Sequence, residues 1–139
     1  MINPKPRHFR KPNKKLIRHT YEYKSNRLRF GSLGLQAVER GFLTVKQIEA
    51  IRRTITGKLK RKGKIWIRAF PDYPRTAKPK EVRMGRGKGN VSHWVSIIKP
   101  GRILFEAKSR NILSLKEALQ FTLRKLPFKT QVVSKLTKI

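Results

Sequence analysis

Residues 44–70 read T-V-K-Q-I-E-A-I-R-R-T-I-T-G-K-L-K-R-K-G-K-I-W-I-R-A-F, and their patterning decides the fold class. Thr44 and Gln47 form a T-x-x-Q capping box, in which each side chain satisfies an orphan amide of a first helical turn. Ile48, Ile51, Ile55 and Leu59 then recur at helical spacing and make one apolar stripe. The spacing predicts a helix over 44–62, stopped by Gly63. Its late cations suit the negative end of the helix dipole. From Lys64 to Phe70 the period changes to two. Ile65, Ile67 and Ala69 fall on one face, and Trp66, Arg68 and Phe70 on the other, as in a strand.

Working outward, Leu33, Leu35 and Ala37 alternate within 30–41 and predict a short strand. Gly31 and Gly34 mark a bulge or a close backbone approach there. Pro71, Pro74 and Pro79 end the Lys64 strand and stiffen the loop that follows. Residues 91–98 alternate again. With the Pro100-Gly101 turn and residues 102–107 they predict a hairpin. Ser114 and Glu117 read as a second capping box, opening a helix over 114–125. Leu115, Ala118, Leu119, Thr122 and Leu126 form its core stripe, and Pro127 stops it. Residues 128–135 read as a last strand. Two helices and about five strands predict an α+β two-layer sandwich, with two helices packed on a mostly antiparallel sheet. Residues 30–139 are expected as a single domain containing a long Gly-rich hairpin loop, 71–90, behind a basic N-terminal extension, 1–29.

The charge balance points to the partner. Of 139 residues, 36 are Lys or Arg and 7 are Asp or Glu, a formal net charge of +29. A free protein of this kind repels itself and binds polyanions. There is no cysteine, so thiolate metal sites and disulfides are excluded. With so few acids, a hard-metal cage would need nearly all of them in one place. No apolar run approaches the ~20 residues of a membrane span. Cations also occur in every segment rather than on one amphipathic helix, which favours nucleic acid over a membrane surface.

The N-terminal segment carries Lys5, Arg7, Arg10, Lys11, Lys14, Lys15 and Arg18, interleaved with Phe9, Tyr21 and Tyr23 and opposed only by Glu22. Such a segment cannot bury enough apolar surface to fold alone. It can order on RNA, where bases stack on rings and guanidinium planes. Arg52, Arg53, Lys60, Arg61 and Lys64 are further candidate phosphate contacts, because few acids exist to pair with them.

Residues 82–90, V-R-M-G-R-G-K-G-N, alternate glycines with cations. Glycine lets a backbone approach a phosphate or base closely. A nucleotide-binding P-loop would end in Gly-Lys-Ser/Thr and open a helix. Here Lys88 precedes Gly89 and Asn90 and leads into a strand. His8, His19 and His93 are scattered, and His93 is expected to be packed or hydrogen-bonded in its strand. No catalytic residue, metal site or cofactor is expected.

The starting P-K-P-R-H-F-R-K, F-G-S-L-G-L-Q-A-V, T-V-K-Q-I-E-A-I-R-R, G-K-I-W-I-R-A-F-P-D, V-R-M-G-R-G-K-G-N, K-P-G-R-I-L-F-E and K-L-P-F-K-T together resemble the ribosomal protein L16 family of bacterial and organellar type, in register over nearly the whole chain. The resemblance implies a structural protein of the large ribosomal subunit, bound to large-subunit rRNA near the peptidyl transferase region. It implies neighbouring ribosomal proteins as partners, with no membrane and no homo-oligomer. It also implies that Arg83, Met84, Gly85, Arg86, Gly87 and Lys88 face the acceptor arms of A-site and P-site tRNA. Arg83 matches an arginine that is hydroxylated in some bacteria. Residues 16–29 lack the family's usual glycines, and 107–114 are atypical. The Lys- and Ile-rich, Ala-poor composition suggests an AT-rich genome. With no presequence before the family's usual start, it favours a mitochondrial ribosome, with a bacterial cytoplasm or plastid as alternatives. The rival functions are an RNA-processing enzyme and a general nucleic-acid compactor.

Overall fold

The computed structural model describes Pro4, Lys11 and residues 20–85 and 87–135. Its elements are β1 (Leu33–Ala37), β2 (Gly41–Thr44), α1 (Val45–Lys58), β3 (Lys64–Ile67), β4 (Tyr73–Ala77), β5 (Asn90–Ile98), β6 (Ile103–Lys108), α2 (Ile112–Leu123) and β7 (Thr130–Ser134). The fold is α+β. The strands form two antiparallel sheets, one ordered β3-β6-β1-β7 and the other β2-β5-β4.

Both sides of the capping box at Thr44 and Gln47 are made, and Ile48, Ile51 and Ile55 are fully buried. Gly63 is not the stop, however. α1 ends at Lys58, and the chain turns through Lys60 (φ 48°) and Arg61 (φ 62°), both left-handed. Gly63 serves packing instead. A Cβ there would stand 2.9 Å from Leu59 Cδ1 and 3.1 Å from the Lys108 carbonyl. α2 starts earlier than expected. Asn111, not Ser114, caps it, its side chain accepting from the Ser114 N–H at 3.2 Å. Of the predicted stripe, Leu115, Ala118, Leu119 and Thr122 are buried, while Leu126 lies beyond the helix end at Leu123 and is half-buried against the core. The two helices pack on each other and on the four-stranded sheet. Leu35, Leu43, Ile98, Phe105 and Leu119 lie in the shared core with no exposed surface.

Two strands were not expected. β2 precedes α1 directly, and β4 runs through Pro74. Proline gives no N–H to a ladder, so it is tolerated on an edge, which is where β4 lies in its sheet. The loop expected over 71–90 is therefore shorter, with β4 and β5 as the arms of its hairpin. The predicted hairpin between residues 91–98 and 102–107 is not formed. The turn exists, with Gly101 at φ 87°, but the two strands enter different sheets. β5 is occupied on both sides by β2 and β4, and β6 by β1 and β3, so neither has an edge left for the other.

Part of the segment expected as an extension is bonded to this body. The Glu22 N–H donates to the Pro100 carbonyl at 2.9 Å, and the Ile103 N–H to the Ser25 carbonyl at 2.9 Å. The Tyr21 ring occupies the space that a side chain at Gly101 would need.

Candidate nucleic-acid interface

Glu106 sits on β6 with no exposed surface, in register with Gly34 of β1 and Trp66 of β3. Its Oε2 accepts from the backbone N–H groups of Arg29 (3.0 Å), Phe30 (2.7 Å) and Gly31 (2.8 Å). Its Oε1 accepts from Arg68 Nη1 at 2.6 Å, and that nitrogen also donates to the Arg27 carbonyl at 2.7 Å. Burial alone would push this carboxyl up. The N–H groups of Gly31 and Phe30, the Arg68 guanidinium and the Arg29 N–H outweigh burial and hold it below its usual value. Gly31 is required for the approach, since a Cβ there would lie 2.7 Å from the backbone N and O of Ala107. The ring of bonds fixes residues 27–31 against β6. It also lays Phe30 on Trp66, with ring centroids 6.0 Å apart and planes at 22°.

On α1, Glu49 binds two of the predicted phosphate contacts. Its Oε1 accepts from Arg52 Nη2 at 2.7 Å and Arg53 Nε at 2.9 Å, and its Oε2 from Arg52 Nε at 2.9 Å. The hydrogen bonds from Arg52 and Arg53 lower the carboxyl to about 2. The cluster still carries one net positive charge. Lys60 and Arg61 project into solvent from the left-handed turn. Lys64 is exposed, with its ammonium 5.4 Å from the Trp66 ring centroid.

The β4–β5 hairpin carries the other predicted cluster. Ala77 pairs with Asn90 at its neck, and Gly89 lies so close to the Ala77 carbonyl that no side chain fits. Gly85 (φ 112°) and Gly87 (φ 73°) hold conformations that L side chains rarely adopt, in open space. Lys78 Nζ donates to the Gly85 carbonyl. Arg83, Met84, Gly85, Gly87 and Lys88 are all exposed. Lys11 reaches this neck, its Nζ donating to the Lys88 carbonyl at 3.2 Å and to Asn90 Oδ1 at 3.1 Å. Lys5, Arg7, Arg10, Lys14, Lys15, Arg18 and Arg86 lie outside the described residues. His93 is exposed and not packed, and of the two expected roles it takes the hydrogen-bonded one, its Nδ1 lying 3.4 Å from Ser92 Oγ. The outer half of β5 extends past the core with the hairpin, so its alternation does not report burial. Among the described residues no group of three or more His, Asp or Glu could hold a metal ion, and no helix is long and apolar enough to cross a membrane.

A model of the family "Ribosomal protein L16p/L10e" matches residues 4–133. The chain belongs to this family. It is 51% identical over 136 residues to the large ribosomal subunit protein uL16 of Buchnera aphidicola subsp. Cinara cedri, covering 98% of each chain. Identity is also 51% to the uL16 of Psychrobacter cryohalolentis and 50% to that of Acinetobacter baumannii, over 97% of this chain and 98% of each relative. As a member of the L16p/L10e family this is a large-subunit ribosomal protein, a structural constituent and not an enzyme.

Sequence reasoning passed over Glu106, Arg68 and the Phe30–Trp66 stack. A signal was present for the first. Glu106 is an acid inside the apolar run I-L-F-E-A, in a chain with only seven acids. A charge placed there must have partners. Which partners it takes depends on how the strands are ordered, and the local sequence does not carry that.

Proposed function

We propose that this L16-family protein binds large-subunit rRNA through its N-terminal segment and the cations of α1 and the α1–β3 turn, and that the β4–β5 hairpin extends its glycine-rich tip toward the acceptor arms of A-site and P-site tRNA. The observation that carries the reading is the hairpin itself. Two strands project a tip in which exposed Arg83 and Lys88 flank two glycines at positive φ. Such a tip supplies positive charge and close backbone approach. Its work is to neutralise phosphates and hold their geometry. The proposed partners are large-subunit rRNA, tRNA and neighbouring ribosomal proteins.

For the compartment, the Lys- and Ile-rich composition supports a mitochondrial ribosome, whereas the bacterial relatives support a bacterial cytoplasm. Fractionation of source cells separates the two.

Co-sedimentation of the tagged protein from its own cells, in moderate and then high salt, tests the main reading. Persistence with the large subunit through high salt is the expected result. Release at moderate salt would leave general compaction of nucleic acid as the better account. A photo-crosslinker at Met84 tests the loop assignment: adducts to tRNA 3′ arms support it, and adducts to rRNA alone overturn it.

A further inference from the structure

Beside the Glu106 ring a shallow cleft of about 540 Å³ opens between the α1–β3 turn and the end of β6. Lys62, Gly63, Lys64, Trp66, Lys108 and Arg110 line it, and no acid does. Its walls are mostly carbon although four of these residues are cations, so the stems and the indole form the surface and the charged heads form the rim. The β3–β6 register sets Lys64 directly opposite Lys108. Like charges opposite each other across a ladder destabilise it unless an anion lies between. Ser109 Oγ donates to the Lys62 carbonyl at 3.0 Å, and Gly63 packs against the Lys108 carbonyl, so the two sides of the cleft are held together. Trp66 is partly exposed, braced by Phe30, and lies under the Lys64 ammonium.

We propose that this cleft binds one unpaired RNA nucleotide, its base stacked on Trp66 and its flanking phosphates on Lys62, Lys108 and Arg110. The proposal rests on the RNA-binding reading above and specifies how one part of that surface binds. An aromatic floor with a cationic rim fits a nucleotide better than an acidic peptide, which would use the rim and leave the ring idle. Lys64 holds the ring by a cation–π contact in the free protein and moves to a phosphate when the base enters.

The test uses the full chain and a single-stranded RNA heptamer of mixed sequence, compared with the same heptamer carrying abasic sites. The signal is tryptophan fluorescence, read in a Trp94→Phe background so that Trp66 alone reports. The base-containing RNA should quench Trp66 and bind about tenfold more tightly than the abasic RNA at equal salt. Trp66→Leu, followed by filter binding because no reporter tryptophan remains, should abolish that difference in affinity and leave the salt slope unchanged. Lys108→Gln should instead flatten the log–log salt slope by about 0.7 and keep the quench. Equal binding of both RNAs with no quench would overturn the proposal. So would an equal response to an acidic heptapeptide. Because Trp66 also packs on Phe30, the abasic comparison decides the matter if Trp66→Leu fails to fold. Failure here with continued co-sedimentation in high salt would remove the nucleotide site and leave rRNA binding standing. Loss of co-sedimentation by the unaltered protein would remove the parent reading.

Discussion

Around Glu106 one buried carboxylate accepts three backbone N–H groups and an arginine, and every partner belongs to this chain. At the tip of the β4–β5 hairpin, Arg83 and Met84 stand in solvent, Gly85 and Gly87 have nothing within 4 Å of a would-be Cβ, and the backbone is left-handed twice. The same excess of positive charge is thus handled in opposite ways. Inside, a scarce acid gathers donors and holds residues 29–31 against β6. Outside, cations are left facing solvent, which suits a surface completed by a polyanion. The contrast teaches that burying a charge here takes a full set of partners, whereas an exposed cation of the tip such as Arg83 needs none.

The largest effect should come from breaking the inner site. Glu106→Ala leaves three N–H groups and the Arg68 guanidinium without their acceptor, and should cost about 3–5 kcal/mol, read from the denaturant midpoint. A loss under about 1 kcal/mol would mean that water replaces the carboxylate and that the inner site is not distinctive. The pH dependence sharpens this. The folded-state value of Glu106 lies below the ordinary 4.5. Its stabilisation is therefore complete above the unfolded value and is lost as pH falls through the lowered folded value. Unaltered protein should lose stability below pH 4.5 more steeply than Glu106→Gln.

Gly31→Ala comes next. Its Cβ would lie 2.7 Å from the Ala107 backbone, which cannot give way within a sheet, so about 1–3 kcal/mol should be lost. Gly87→Ala makes the matched outer test. It meets no atom but must hold positive φ, so stability should fall by about 1 kcal/mol or less while large-subunit function in translation declines more sharply. A folding defect as large as that of Gly31→Ala would erase the distinction between the two regions.

Smaller effects concern exposed charge. Glu49→Gln should free Arg52 and Arg53 and raise affinity for RNA at low salt, seen as a steeper salt dependence in filter binding. Arg83→Gln should leave the melting transition within about 0.5 kcal/mol of the unaltered protein and remove one phosphate contact from the salt slope.

Much of the fold was legible. The α1 stripe and capping box, the α2 stripe and the alternation of β1 and β3 are local patterns, and local physics sets them. The cap of α2 differs from the expected one because Asn111 and Ser114 are both capping residue types three positions apart, and the extended backbone at Asn111 (φ −92°, ψ 107°) makes it the cap, with Ser114 supplying the N–H. The β5–β6 hairpin was misread because an alternating strand shows which face is buried and not which strand lies beside it. Of the interface, the exposed hairpin cations were visible in the sequence. The pairing of Glu49 with two arginines was not anticipated, although its i,i+3 and i,i+4 spacing was present.

By itself the sequence determined the α+β class, the excess of positive charge, the absence of thiol chemistry and the glycine-cation tip, because each depends on residue type and short spacing. Only the tertiary structure decided that the strands divide into two sheets, that residues 27–31 close around Glu106, and that Lys62, Trp66, Lys108 and Arg110 share one cleft. These groupings join residues as far apart in the chain as Leu33 and Ser134, and strand order brings them within reach. A chain of alternating segments is compatible with many such orders. In the observed order the three N–H groups and the Arg68 guanidinium that face Glu106 all find it as acceptor, and the apolar faces of both helices are covered.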